Sequence, residues 1–123
     1  MARVLVIAGV STGVGKTSIT LGLLETLRRR GLRVQAFKVG PDFIDPRFHE
    51  LVTGRPSYNL DGWMCGREHV LACVSRHASD VDVAVVEGMM GCFDGVDGGS
   101  EVGSTAQVAK WLGAPVVLVL DAW

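Results

Sequence analysis

The start of the chain constrains its fold more than any other stretch. An apolar run, Val4–Ala8, leads into the glycine-rich segment GVSTGVGKT at residues 9–17. The following stretch, Lys16–Arg30, repeats isoleucine and leucine at helical spacing and stops at Gly31. A buried strand, a tight loop and a helix in this order form the first half of a βαβ unit, and such units build parallel sheets covered by helices.

Apolar and helical patterns alternate along the rest of the chain. Strands are predicted over Arg33–Val39, Val83–Val86 and Val116–Leu120, helices over Arg67–Ala78 and Ser104–Leu112, and a long glycine-rich loop over residues 88–103. Most of these strands are continuously apolar and rich in valine, which is typical of parallel strands buried on both faces. The predicted fold class is therefore α/β, a parallel sheet flanked by helices, in which ligands bind beyond the carboxyl ends of the strands.

The composition excludes several classes of function and structure. Its 123 residues suit one domain, and its net charge of −1 gives no electrostatic basis for binding nucleic acid or an anionic membrane. No stretch approaches the roughly 20 apolar residues that cross a bilayer. The three cysteines lack CxxC spacing and the three histidines are scattered, so we expect neither a disulfide framework nor a zinc site, and we expect a cytoplasmic protein.

The last predicted strand, Val116–Leu120, has no helix after it. An α/β sheet that ended there would have one poorly covered face, because parallel sheets are normally buried on both sides. We therefore expect the chain to be the N-terminal part of a longer protein.

The segment GVSTGVGKT predicts a binding site for the phosphates of ATP. Glycines let backbone N–H groups turn toward phosphate oxygens, and the following helix adds positive charge at its N-terminus. Lys16 would reach the β- and γ-phosphates, and the Thr17 hydroxyl would bind Mg²⁺. The standard spacing requires glycine where Val10 stands, because here five residues separate Gly9 from Gly15. The residues predicted to bind the nucleotide are Gly13, Val14, Gly15, Lys16, Thr17 and Ser18.

The segment FKVGPDFIDP, residues 37–46, lies at the end of the second predicted strand. Lys38 would project at the carboxyl edge of the sheet, near the phosphates or an anionic substrate. Asp42 and Asp45 stand between two prolines, and two rigidly held carboxylates suit coordination of Mg²⁺ or orientation of a reacting group. Ordinary turn chemistry is the alternative, because Asp and Pro are both favoured in turns.

A third acidic strand end lies in VAVVEGMMGCFDG. Glu87 follows the apolar run directly, so it would complete the shell of Mg²⁺, either directly or through water. Asp121, after VVLVL, is a competing acidic strand end, but no glycine follows it. We therefore predict Thr17, Asp42 and Glu87 as the metal ligands.

These segments together resemble the N-terminal synthetase domain of the cobyrinic acid a,c-diamide synthases, a family that includes the hydrogenobyrinic acid enzymes. The matching motifs are STGVGKT (11–17), KVGPDFIDP (38–46), NLDGWM (59–64), EGMMGCFDG (87–95) and GSTAQVAKWLGAPVVLVLDA (103–122). They follow the family order over nearly the whole chain. The resemblance implies a dethiobiotin synthetase-like P-loop fold, whose phosphate loop carries the extra residue after Gly9, and it implies that residues 1–123 are the N-terminal ATP-binding domain.

The activity implied by the resemblance is an ATP-dependent amidation of the a- and c-side-chain carboxylates of a corrinoid, in cobalamin biosynthesis. The γ-phosphate of ATP would pass to the carboxylate and give an acyl phosphate. Ammonia, released from glutamine by a C-terminal glutaminase domain, would then displace phosphate and form the amide. The full-length protein would be a homodimer.

The family's motifs also imply roles for individual residues. Lys16 and Thr17 would hold the phosphates and Mg²⁺, with Asp42 and Glu87 as further metal ligands. Lys38 would steady the phosphoryl oxygens during transfer, so that Lys16, Lys38 and Asp45 form the catalytic set. The residues implied to lie toward the substrate are Asp45, Phe43, Asp94 and Asp97. Many family members have tyrosine in place of Phe43.

Other functions remain open at this point. A nickel-sirohydrochlorin diamidase or another dethiobiotin synthetase-like ligase would share the phosphate loop, and KVGPDFIDP does not separate cobalt from nickel tetrapyrroles. A ParA- or MinD-like partitioning ATPase is a more distant alternative, since those proteins carry a lysine where Ser11 stands. Cys92 is not in the sequence context of a glutaminase nucleophile.

Overall fold

The computed structural model describes residues 2–11, 13–95 and 100–120. These residues form five strands and four helices. In chain order they are β1 (Arg3–Gly9), α1 (Lys16–Arg29), β2 (Val34–Val39), α2 (Asp45–Thr53), β3 (Tyr58–Leu60), α3 (Gly66–His77), β4 (Val83–Gly91), α4 (Thr105–Leu112) and β5 (Val116–Val119). No helix among these residues is both long and apolar enough to cross a membrane.

The five described strands form one parallel sheet in the order β3-β2-β4-β1-β5. Because all the strands run the same way, their carboxyl ends lie along one edge of the sheet. In the register of β2 and β4, Lys38 lies opposite Glu87. The α/β fold class predicted from the sequence is confirmed.

Apolar side chains alternate between the two faces of the sheet. Phe37, Val39 and Val86 pack on one face with residues of α3 and α4. Ile7, Val85 and other side chains pack on the opposite face with Leu24 of α1. Helices therefore cover both faces of the sheet at β2, which explains why all six residues of that strand are buried, whereas three of the four residues of the edge strand β5 are exposed.

The sequence patterns do not predict α2 or β3. The segment after β2 suggests a proline-rich turn, but a helix begins at Asp45 with Pro46 in its first turn. Proline is tolerated there because the first N–H groups of a helix have no partner within the helix. Strand β3 has only three residues, too few for a recognisable alternation, and it exists because Tyr58 pairs with Phe37 of β2.

Strand β4 is longer than predicted. It runs to Gly91 and not to Val86, so the first part of the predicted loop at residues 88–103 belongs to the sheet. Pairing with β1 extends the strand as far as Gly9 opposite Gly91, after a break in register. The prediction for α4 is confirmed within one residue, because the Ser104 side chain caps it at its N-terminus and Gly113, at φ 61°, follows its last turn.

Candidate functional site

The phosphate loop joins β1 to α1 at the carboxyl edge of the sheet. Gly13 has φ 82° and Gly15, directly before α1, has φ 95°, a left-handed conformation that side chains with a Cβ rarely adopt. A Cβ on Gly9 would lie 2.7 Å from Cγ2 of Val14 and 3.0 Å from Cδ of Lys16. Gly9 is therefore needed where it stands, because Val14 and Lys16 fold back against the end of β1.

Three segments of the chain border a cavity of about 560 Å³ next to this loop. They are the loop with the first turn of α1, the connection from β2 to α2, and the carboxyl end of β4. The residues predicted as site residues that line it are Gly13, Gly15, Lys16, Thr17, Ser18, Lys38, Asp42, Asp45 and Glu87. Val14 does not line the cavity, since it packs with the apolar residues on the α1 side of the sheet.

Lys38 lies at the centre of the acidic residues and is only 4% exposed. Its Nζ is 2.7 Å from Oδ2 of Asp45 and 3.2 Å from Oε2 of Glu87, and it donates a hydrogen bond of 2.8 Å to the Gly88 carbonyl. Oδ2 of Asp42 is more distant, at 3.9 Å. A buried ammonium needs such partners to offset its lost hydration, so Lys38 holds the three carboxylates together on one side of the cavity.

Glu87 is fully buried, and both of its carboxylate oxygens are occupied. Oε2 accepts a hydrogen bond of 2.8 Å from the Thr17 hydroxyl, and Oε1 lies 2.8 Å from Nε2 of His49. Burial alone would raise the pKa of Glu87, but hydrogen bonds from His49 and Thr17 and the charge of Lys38 lower the pKa to about 2. Glu87 is therefore a carboxylate at neutral pH.

Lys16 is buried at the start of α1. Burial, and then the charge of Lys38, lowers the pKa of Lys16, while the carboxylates of Glu87 and Asp45 act in the opposite direction. A phosphate beside Lys16 would also favour its ammonium form, because an opposite charge at close range stabilises the charged state.

The sequence of residues 5–110 matches the family described as the CobQ/CobB/MinD/ParA nucleotide binding domain. The chain belongs to this family. The match covers the phosphate loop, the connection from β2 to α2, and β4, which are the three segments that border the cavity.

Longer proteins resemble this nucleotide-binding domain closely. Cobyrinate a,c-diamide synthase of Syntrophotalea carbinolica is 58% identical over 96% of the chain and 26% of that protein. Hydrogenobyrinate a,c-diamide synthase of Streptomyces coelicolor is 55% identical over 96% of the chain and 24% of that protein. Cobyrinate a,c-diamide synthase of Archaeoglobus fulgidus is 54% identical over 94% of the chain and 25% of that protein. The resemblance seen in the motifs is confirmed, and the chain spans about a quarter of the length of these curated relatives.

His49 and Ser57 join the site without having been predicted. His49 is fully buried and links Glu87 to the Ser57 hydroxyl, which lies 2.8 Å from its Nδ1. The sequence pattern around His49 does not indicate this role, because it does not predict α2. Once α2 is known, His49 is four residues after Asp45 and therefore on the same helical face, a spacing that could have indicated their proximity.

Of the residues predicted to face the substrate, Asp45 lines this cavity, and the other three lie outside it or outside the described residues. Phe43 is 79% exposed and lines a neighbouring groove with Arg47 and Tyr58. The carboxylate of Asp94 accepts a hydrogen bond of 2.8 Å from the Gly91 N–H and so closes the turn after β4. Asp97 and Asp121 are not among the described residues. Substrate roles for Phe43, Asp94 and Asp97 therefore stay predictions.

The predicted Mg²⁺ ligands have the right chemistry for that ion. Among residues 2–11, 13–95 and 100–120, no group of three or more His, Cys, Asp or Glu side chains is arranged to hold a metal. The Thr17 hydroxyl and the carboxylates of Asp42 and Glu87 are instead oxygen donors around one cavity, with Thr17 and Glu87 already in contact. Mg²⁺ prefers one or two carboxylates together with phosphate oxygens and water, so this donor set fits.

Proposed function

We propose that this chain is the ATP-binding part of an enzyme that activates side-chain carboxylates of cobyrinate or hydrogenobyrinate for amidation. The observation that carries the proposal is the meeting of the phosphate loop, Lys38 and three carboxylates around one cavity. The names of relatives that are 58% and 55% identical support the choice of substrate. Family membership alone would not distinguish a synthase from a partitioning ATPase, because the family description includes MinD and ParA.

In this proposal the phosphates of ATP lie at the N-terminus of α1. Gly13, Gly15 and Lys16 line the cavity, and their backbone N–H groups and the Lys16 ammonium would supply positive charge to the phosphates. Thr17, Asp42 and Glu87 would hold Mg²⁺, which supplies further positive charge to the phosphate oxygens. Glu87 suits this role because its low pKa keeps it ionised.

A carboxylate reacts poorly with ammonia because it has no good leaving group, and phosphorylation supplies one. A carboxylate oxygen of the substrate attacks the γ-phosphorus, the bond between that phosphorus and the β–γ bridging oxygen breaks, and ADP leaves. Ammonia then attacks the acyl carbon, the carbon–oxygen bond to phosphate breaks, and the amide forms with loss of a proton. Lys38 would offset charge on the transferred group, and Asp45, 2.7 Å from Nζ of Lys38, would hold its ammonium in place.

The remaining parts of the reaction belong to the full-length protein. Glutamine would supply the ammonia through a glutaminase domain, and the full-length protein would be a cytoplasmic homodimer. These statements extend the resemblance to the named synthases.

The decisive experiment follows oxygen from substrate to phosphate. The full-length protein is given ATP, Mg²⁺, glutamine and hydrogenobyrinate whose carboxylates carry ¹⁸O. An acyl phosphate predicts one ¹⁸O in inorganic phosphate for each amide formed, whereas amidation with unlabelled phosphate would contradict the proposal. The same assay with nickel-sirohydrochlorin as the substrate separates the two tetrapyrrole classes.

Variants of the predicted ligands test the site itself. Asp42→Asn and Glu87→Gln should each lower phosphoryl transfer by about 100-fold or more, because each removes an anionic ligand that would hold Mg²⁺ against the phosphates. Asp82→Asn is the matched control, since Asp82 pairs with Arg33 at the opposite end of the sheet. Near-normal amide formation by both ligand variants would rule out the metal assignment.

A further inference from the structure

His49 forms hydrogen bonds behind the cavity wall, between Glu87 and Ser57. It lies on α2 and is fully buried, with Nε2 2.8 Å from Oε1 of Glu87 and Nδ1 2.8 Å from the Ser57 hydroxyl. His49 does not line the cavity, so it can act on a bound nucleotide only through Glu87.

The partners of the ring determine where its proton lies. An ionised carboxylate only accepts hydrogen bonds, so Nε2 of His49 must carry hydrogen and donate to Glu87. In the neutral ring Nδ1 then has a lone pair, and the Ser57 hydroxyl can donate to it. Ser57 thereby favours the tautomer that Glu87 needs.

This arrangement gives the two carboxylate oxygens of Glu87 different partners. Oε1 faces His49, on the helix side, while Oε2 faces Thr17 and Lys38, on the cavity side. Without the donor on His49, Oε1 would be a buried oxygen with no partner from α2, and the carboxylate could turn Oε1 toward Lys38 or Thr17. The ring therefore keeps Oε2 directed at the phosphate loop.

We propose that His49 is a positioning residue, whose Nε2–H holds Glu87 with Oε2 toward Thr17 and the nucleotide cavity, and that Ser57 selects the required tautomer. The proposal rests on the proposed function in one respect, that Glu87 contributes to binding Mg²⁺ with the nucleotide. Hydrogen-bond partners of ligating carboxylates affect metal affinity even though they do not touch the ion.

Two substitutions test the contacts of the two ring nitrogens of His49 separately. The side-chain amide of glutamine reaches the position of Nε2, whereas that of asparagine reaches only the position of Nδ1. His49→Gln can therefore keep the donor to Glu87, and His49→Asn can keep only the contact with Ser57. His69→Asn, on the exposed face of α3, is the control for a histidine substitution elsewhere.

The first measurement is the ratio of ATP affinities with and without Mg²⁺, obtained by calorimetry on the full-length variants. We expect His49→Asn to lower this ratio at least about tenfold, while His49→Gln and His69→Asn stay within about threefold of the unsubstituted protein. Equal ratios in His49→Gln and His49→Asn would overturn the proposal. A KM for ATP·Mg²⁺ that rises only in His49→Asn is the corresponding kinetic result.

The second measurement does not need catalysis or metal. In ¹⁵N-histidine-labelled full-length protein, the His49 ring should show hydrogen on Nε2, and Ser57→Ala should increase the fraction with hydrogen on Nδ1. A ring that carries hydrogen only on Nδ1 would overturn the proposal even if His49→Asn fails to fold. Failure of the ¹⁸O experiment in protein that binds ATP with Mg²⁺ would instead overturn the proposed function and leave the role of His49 standing.

Discussion

At the scale of single residues, Lys38 and Glu87 can be buried because each satisfies the other. They lie opposite each other on neighbouring strands, and Nζ and Oε2 are 3.2 Å apart. Each has further partners, Asp45 for Lys38 and His49 for Glu87. Removing one member of such a pair leaves an uncompensated buried charge, which costs more than the pair contributes as a whole.

The low pKa of Glu87 predicts how the free energy of unfolding depends on pH. Its pKa in the folded protein, about 2, lies below the ordinary value of 4.5, so its stabilising contribution is complete above about pH 4.5 and is lost as pH falls toward 2. This difference corresponds to about 3 kcal/mol. Glu87→Gln should therefore lower the free energy of unfolding by about this amount at pH 6, and the gap from the unsubstituted protein should shrink steadily toward pH 2.

The measurement is urea unfolding of the full-length protein between pH 6 and pH 2 in the presence of a chelator. Glu25→Gln is the control, because Glu25 forms an exposed pair with Arg29 on α1 and should change the free energy of unfolding by less than about 0.5 kcal/mol. A gap that does not vary with pH would contradict the assigned environment of Glu87.

At the scale of elements, the helices that follow β2 and β4 pack against the carboxyl ends of these strands, where the site residues lie. Helix α2 carries Asp45 and His49 one turn apart, facing the carboxyl ends of β2 and β4. Helix α4 packs its first turn against β4, where a Cβ on Gly88 would lie 2.7 Å from Cγ2 of Thr105. The start of each helix therefore affects where the strand end lies.

The N-terminus of α4 offers a direct test. The Ser104 side chain is buried and accepts a hydrogen bond of 3.1 Å from the Gln107 N–H. Ser104→Ala leaves that N–H without its capping partner and should lower the free energy of unfolding by about 1 kcal/mol, measured by urea unfolding. Ser79→Ala, at an exposed serine after α3, should change it much less. Equal effects of the two substitutions would show that the cap contributes nothing.

At the scale of the whole molecule, the parallel sheet makes one site from distant segments. Strand β1 lies between β4 and β5, and the phosphate loop continues directly from it. A nucleotide bound there would contact the loop, β2 and β4 together, and an unfolded chain offers no such site. Binding should therefore stabilise the fold as a unit.

ATP with Mg²⁺ should raise the free energy of unfolding by about 2.7 kcal/mol when its concentration is 100 times the dissociation constant. Lys16→Ala should lose most of this gain at the same concentration, because Lys16 is the loop side chain expected to meet the phosphates. Thermal unfolding of the full-length protein with and without ATP gives the comparison. Lys110→Ala is the control, because Lys110 is an exposed lysine that pairs with Glu101. Equal stabilisation of the Lys16 variant would exclude Lys16 as a phosphate contact.

The sequence by itself determined the features whose signals are local. The apolar run before GVSTGVGKT predicts β1, the loop and α1, because strand burial, glycine conformation and helix periodicity act over a few neighbouring residues. Ser104 and Gly113 mark the limits of α4 for the same reason. The fold class and the segments that border the cavity followed from these signals.

Only the tertiary structure decided the length of β4, the presence of α2 and β3, and the partners of the buried charges. Glu87 meets His49 from 38 residues away and Lys38 from 49 residues away. The local pattern around His49 carries no sign of either contact, because both depend on how β2 and α2 lie against β4. Register and helix packing are properties of the folded chain, so the hydrogen bonds that keep Glu87 ionised and directed toward the cavity became visible only there.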